Sequence, residues 1–211
     1  MFSLLKKLFS SPPIIPEKVW AMKAYKYQGL YQDTLQAHKN GEKVLIFTQF
    51  EKTLEEACFV LEQKKVNFYR FSKGDEVAIL NFHQLAVFQV NALQKNTIKD
   101  LQSLLHQAPV QLFIIEHHPL RANDEELIAI LREIAPQSEP IFYTSLEDAV
   151  LAQFATDNLK QLLEKLGMKP DESFQHKLIS NAIIEAQKKL ASQARGNRIT
   201  YSAEEWLKAN L

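Results

Sequence analysis

Between residues 43 and 144 the chain alternates short, nearly uninterrupted apolar runs with stretches of helical periodicity, and this pattern limits its fold more than any other feature. The runs are "KVLIFT" (43–48), "NFYRF" (67–71), "LAVFQV" (85–90), "QLFIIE" (111–116) and "PIFYT" (140–144). A strand with one wet face alternates apolar and polar residues. A run that is apolar at successive positions must bury both faces, which places it in a parallel sheet sandwiched between helices. The connecting segments supply those helices. "EKVWAMKAYKYQGLYQDTLQAHKNGEK" carries Val19, Met22, Leu30 and Leu35 at helical spacing and stops at Asn40-Gly41, so it predicts one long first helix. Thr53 to Glu56 has capping-box spacing ahead of the helix that carries Cys58, and residues 97–106 and 123–134 read as two more helices. From Ser145 onward the pattern is helical, with capping-box spacing at Thr144 to Glu147 and Ser202 to Glu205 and breaks at Gly167 and Gly196. The expectation is an α/β layer followed by a helical tail.

At 211 residues and 46% hydrophobic content the chain can bury one sizeable core. Its 25 basic and 25 acidic side chains cancel, which leaves no field to gather phosphate backbones and argues against nucleic acid as a partner. Cys58 is the single cysteine, so no internal disulfide can form, and a reducing cytoplasm is the matching compartment. No run approaches the roughly 18 apolar residues of a membrane span. "MFSLLKKLFSSPPIIP" sets Phe2, Leu5 and Phe9 on one helical face, with Lys6 and Lys7 elsewhere. That segment either docks on its own protein or frays in solution, or else gives a weak peripheral membrane contact through residues 2–9, at the inner membrane. Five glycines build neither a phosphate-cradling loop nor a dinucleotide turn, no Gly-x-Ser-x-Gly elbow exists, and Cys58 has no neighbouring histidine. No cofactor is indicated.

The stretch "IIEHHPLRANDEEL" (114–127) is the densest in chemistry-bearing side chains. Adjacent histidines on an extended segment point to opposite faces, so His117 and His118 cannot join in one metal site. Glu116 and His118, with Asp124 arriving from the next helix, could still converge. Four ligands with structural-zinc spacing are not present, and the favoured reading is a hydrogen-bonded strand-end histidine. Asp124, Glu125 and Glu126 fall in a helical first turn, where negative charge suits the macrodipole and a solvated face is expected.

The tail carries a resemblance. Residues 142–190 run in order through Ser145-Leu146-Glu147-Asp148, Phe154, Leu166-Gly167-Met168, His176-Lys177 and Ala186-Gln187-Lys188-Lys189. This series is similar to the part of the SecA preprotein-translocation ATPase family that leaves the second motor domain and enters the helical scaffold. "YKYQGLYQDTLQAHKNGEKVLIFTQFEKT" resembles the entry into the same motor domain, and the resemblance spans roughly residues 25–192. It implies a RecA-like, mostly parallel sheet with a C-terminal helical extension. It also implies a division into an N-terminal segment and linker (1–16), a degenerate SecA-like second motor domain (17–144) and a scaffold-like tail (145–211).

In that family the last strands are joined by a segment opening with Glu-x-His and continuing into an arginine- and glycine-rich run. Glu116, His118, Arg121, Asp124 and Leu127 match the opening, whereas the three arginine positions hold Ile128, Ile130 and Glu133. "NALQKNTI" likewise keeps Asn91 and Thr97 of a glycine-rich segment without its glycine or arginine. Isoleucine cannot stabilise charge on a transferring phosphoryl group, and loss of an arginine finger costs about a thousandfold or more in rate. The first motor domain, with its phosphate loop, is not in the sequence. The resemblance therefore implies a stand-alone, non-catalytic module that binds or regulates, with a protein as partner. Two other classes stay open: a small metal-assisted hydrolase using Glu116, His118 and Asp124, and a nucleotide-binding protein without hydrolysis. Trp206 and Leu207 are expected to dock on the α/β layer, and Leu166, Ile179 and Ile183 to be buried in the tail.

Overall fold

The computed structural model describes residues 16–106, 108–153, 169, 171–174 and 177–211. Phe2, Leu5, Lys6, Lys7, Phe9, Phe154, Leu166, Gly167, Met168 and His176, all singled out above, lie outside the described residues. Six strands form one sheet: β1 (Glu17–Trp20), β2 (Lys43–Thr48), β3 (Tyr69–Phe71), β4 (Leu85–Gln89), β5 (Val110–Ile115) and β6 (Ile141–Ser145). Their spatial order is β1-β6-β5-β2-β4-β3, and every neighbouring pair is parallel. The sheet is flanked by α1 (Lys23–Lys39), α2 (Glu51–Gln63), α3 (Lys95–Leu105) and α4 (Arg121–Ile134), followed by α5 (Ala149–Ala152), α6 (Lys177–Gln193) and α7 (Ala203–Asn210). This is the RecA-like α/β architecture, with a C-terminal helical extension.

Strand β2 shows why the runs are apolar at every position. Val44 and Ile46 pack under α1 and α2 with Leu30, Leu54, Ala57, Cys58 and Leu61, whereas Leu45 and Phe47 pack under α3 and α4 with Leu101, Leu105, Leu127 and Leu131. Two cores share one sheet. Cys58 belongs to the first, and burial pushes its thiol up to about 11, so it behaves as a small inert hydrophobe.

The start of the chain departs from the expectation of one long helix. "EKVW" is a strand that pairs with β6 in the register Glu17 to Phe142 through Trp20 to Ser145, and the helix begins only at Lys23. Val19 and Met22 mimic a helical stripe across this boundary. Val19 is buried in the sheet while Met22 is exposed. The first helix must then pass close over the strand that precedes it. A Cβ placed on Gly29 would meet the Trp20 ring at 2.2 Å, so only glycine fits there.

The sheet's outer edge at β1 is closed by Phe174, whose N–H and C=O bond to Val19. Around it Leu146, Leu151, Ile179 and Ile183 form a small cluster, which buries the two tail isoleucines as expected. Trp206 and Leu207 pack on Phe50, Val150, Ala186 and Leu190, so α6 and α7 dock onto the carboxyl-terminal end of the sheet.

Of the expected capping boxes only Ser202 caps, accepting from the Glu205 N–H. Helix α2 starts at Glu51 with Phe50 at its N-cap, and Thr53 turns its hydroxyl to Glu116 instead. At Thr144 to Glu147 no cap forms: the Thr144 hydroxyl is buried without a hydrogen-bond partner among the described residues, and the polar side chains that follow it are used elsewhere. Asp148 accepts from the Ser145 N–H and Oγ, and Glu147 accepts from the Lys23 N–H at the start of α1.

Candidate functional site

In an open parallel sheet, the crevice lies where adjacent strands send their helices to opposite faces. Here β2 leads into α2 on one face and its neighbour β5 leads into α4 on the other. The residues just past these two strands, Gln49 to Thr53 and Glu116 to His118, therefore mark the place where a site is expected. The chain has filled it with its own side chains.

Glu116 leaves β5 in a left-handed conformation, with φ of 70°, unusual for a non-glycine residue. Its N–H still donates to the Tyr143 carbonyl, and the twist turns its buried carboxylate towards α2, where Oε2 accepts from Thr53 Oγ1 at 2.7 Å. Close by, Lys26 Nζ and Asp148 Oδ1 form a wholly buried ion pair at 2.7 Å. Burial, and then the Asp148 carboxylate, raise the Glu116 carboxyl to about 7 against the opposing pull of Lys26, the Thr53 hydroxyl and Lys23.

His117 turns the other way and stacks on Phe142 at 4.0 Å between centroids. Its Nδ1 lies 2.8 Å from Asp124 Oδ2 and its Nε2 lies 2.9 Å from Glu17 Oε1. Two carboxylates facing both ring nitrogens require both to carry protons, so the ring is an imidazolium. Burial alone would lower its pKa, but Asp124 and Glu17 outweigh it and raise it to about 10.

Asp124 gathers the remaining donors. Its Oδ1 accepts from the His118 N–H at 2.9 Å, and its Oδ2 accepts from Gln187 Nε2 at 2.7 Å. Gln187 also donates to the His118 carbonyl at 2.8 Å, which ties α6 to the segment after β5. The solvated face expected for the carboxylate run thus holds for Glu125 and Glu126, whereas Asp124 is buried because it faces a cation. His118 accepts from the Leu120 N–H through Nδ1, stacks on Phe50 and meets Trp206 edge-on. Burial lowers its pKa, which favours the neutral ring. It is the hydrogen-bonded strand-end histidine that the sequence favours.

Glu116, His118 and Asp124 do not converge as a hydrolase would require. Glu116 faces α2, Asp124 bonds to the backbone and not the ring of His118, and all three are buried. Among the described residues no group of three or more His, Cys, Asp or Glu side chains could hold a metal ion. Arg121 opens α4 and pairs with Glu125 at 2.7 Å. Ile128 is in the core, Ile130 packs against it, and Glu133 is exposed with its carboxylate and carbonyl accepting from Gln102. Leu146 is buried, and Gln187, marked in the sequence only as part of a family series, proves to be the link between tail and sheet.

Sequence reading missed Glu17, Lys26, Thr53 and Gln49, whose amide reaches Asp124 Oδ1 at 3.4 Å. Lys26 left a usable trace, because Lys26, Leu30, Thr34 and Ala37 lie on one buried face of α1 and a lysine in that stripe needs a buried anion. Glu17 left none, since its partner stands 100 residues away.

No protein-family model matches the chain. The curated relatives found are SecA translocase subunits. The chain is 28% identical to that of Clostridium tetani over 172 residues, 78% of this chain and 21% of the relative. It is 24% identical to that of Caldicellulosiruptor saccharolyticus over 191 residues, 84% and 22%. With Pseudomonas fluorescens SecA the identity is 29% over 115 residues, 54% and 13%. The chain spans about a fifth of the length of the first two relatives. Among solved structures, the C-terminal part of the Fun30 ATPase domain aligns with 78% of this chain and 54% of its own at 14% identity, with a TM-score of 0.38, too low to add to the fold described above. Over most of its length, the chain is SecA-like in sequence.

Proposed function

We propose that this chain is a cytoplasmic binding or regulatory module of protein translocation that performs no ATP turnover of its own. The observation that carries the reading is the state of α4. On the register of the SecA resemblance, the positions that would bear arginines are core or surface positions of an amphipathic helix: Ile128 is 4% exposed beneath the sheet and Glu133 faces solvent. Neither can offer positive charge to a phosphoryl group. The adjoining crevice is lined by the packed rings of Phe50, His118 and Trp206, surfaces suited to packing. The partner under this reading is a protein. No helix among the described residues is long and apolar enough to cross a membrane.

Two measurements test it. Steady-state ATP hydrolysis by the purified protein is expected at background, and turnover abolished by Glu133→Ala would refute the loss of chemistry. Affinity capture from the native host, read by mass spectrometry, is expected to enrich translocation components. A set of captured proteins without any of them would overturn the link to translocation.

A further inference from the structure

Two exposed features of opposite charge stand apart from the buried network at the end of β5. The first is the segment between α6 and α7. Residues 194–201 belong to no helix or strand, yet they are pinned to α7 by its own side chains. The Arg195 N–H donates to the Asn210 carbonyl at 2.8 Å, the Arg198 N–H donates to Asn210 Oδ1 at 2.7 Å, and Asn210 Nδ2 donates back to the Arg198 carbonyl at 3.3 Å. Trp206 Nε1 donates to Asn197 Oδ1 at 2.8 Å. Asn210 and Trp206 are buried, so the loop is ordered from within. It presents Ile199, 93% exposed, beside the exposed side chains of Arg195 and Arg198. Among the described residues neither guanidinium has an ion-pair or hydrogen-bond partner. The result is an apolar tip with a basic rim, and a loop ordered in advance gives up little freedom on binding.

The second feature is a groove of about 690 Å³ between the turn that follows β3 and helix α3. Val77 and Leu104 give its lining an apolar part, and Asp75, Glu76 and Asp100 give it acid. No lysine or arginine lines it, although Lys95 and Lys99 lie close to it in sequence. Asp75 is engaged by the Tyr69 hydroxyl and the Ser72 N–H. Glu76 and Asp100 are exposed, and among the described residues neither has an ion-pair or hydrogen-bond partner.

We propose that this chain associates with itself by seating the Ile199 loop of one copy in the Glu76–Asp100 groove of another. Ile199 would meet Val77 and Leu104, while Arg195 and Arg198 would meet Glu76 and Asp100. The choice of occupant rests on charge. An acidic groove whose lining holds no cation favours a basic tip and disfavours an acidic one, and the chain carries such a tip with its charges free. The balance of 25 basic and 25 acidic side chains also leaves no net repulsion between copies. Loop and groove share no residue, so the contact is heterologous, with one surface of the first copy meeting a different surface of the second. It is independent of the translocation reading.

Sedimentation velocity of the full chain at low salt, from micromolar to sub-millimolar concentration, tests the idea. The wild type is expected to sediment as larger species as its concentration rises. A groove variant carrying Glu76→Lys and Asp100→Lys, and a loop variant carrying Ile199→Asp, are each expected to weaken that association about tenfold or more. All three substitutions fall on exposed side chains, which spares the fold. Mixed together, the two variants should associate again, because the first still offers an intact loop and the second an intact groove. A wild type that stays monomeric, a mixture that stays monomeric, or an association lost in the loop variant but kept in the groove variant, so that the loop seats elsewhere, would overturn the proposal.

Discussion

Two adjacent residues at the end of β5 carry buried charge in opposite ways. His117 is one cation between two carboxylates, with Gln187, Gln49 and the His118 N–H meeting the remaining oxygens of Asp124. Glu116 is an extra anion beside a lysine and an aspartate that already satisfy each other. The difference follows from the period of the strand, which sends neighbours to opposite sides. One side was built to keep a charge, the other to resist one. A buried pair with matched hydrogen bonds locks several elements in place, here β1, α4 and α6 around a single imidazolium, whereas an unmatched buried group titrates near neutrality.

The comparison is broken most violently at His117. His117→Ala removes the cation and leaves Glu17 and Asp124 as uncompensated buried carboxylates, so a loss of about 3–5 kcal/mol is expected in urea denaturation at pH 7. Retention of wild-type stability would mean that the two acids are neutral in the fold and that the imidazolium reading is wrong. Gln187→Ala tests the same side less severely. It removes donors to Asp124 and to the His118 carbonyl, and about 1–3 kcal/mol is expected. A double variant with His117→Ala should lose less than the sum, because both act on Asp124. Strict additivity would show that Gln187 holds α6 independently of the network.

How far the sequence foretold this contrast depends on the distance over which each feature is written. The five strands from β2 to β6 and the helices between them come from local apolar period, and they stand as expected. Strand β1 does not, because "EKVW" runs into a helix and Val19 and Met22 continue the helical count. Only the pairing with β6, over 120 residues away in sequence, makes those four residues a strand. The site divides in the same way. That His117 and His118 face apart is a local fact and was legible. That Asp124 would turn inward was not, since its position in a helical first turn suits solvent unless a cation from another element calls for it. Thr53 was misread for the same reason, its hydroxyl being taken by a carboxylate 63 residues on.

The finest test separates the two sides by pH. For His117 the folded pKa of about 10 lies above an unfolded value of about 6.5, so its stabilisation is complete below about 6.5 and is lost as the pH rises towards 10. For Glu116 the folded value of about 7 also lies above the unfolded value of about 4.3, but the charged form of an acid is the one above its pKa. Its burial therefore costs nothing at low pH and a growing amount between about pH 4.5 and 7, beyond which the cost is constant. Glu116→Gln keeps an acceptor for Thr53 and cannot ionise. Its stability should match the wild type near pH 4, exceed it by about 2–4 kcal/mol at pH 8, and then decline in parallel with it as His117 loses its proton. Parallel curves from pH 4 to 8 would show that Glu116 is never charged in this range. Curves that diverge only above pH 8 would assign the alkaline loss to the Glu116 side and leave His117 without its part in it.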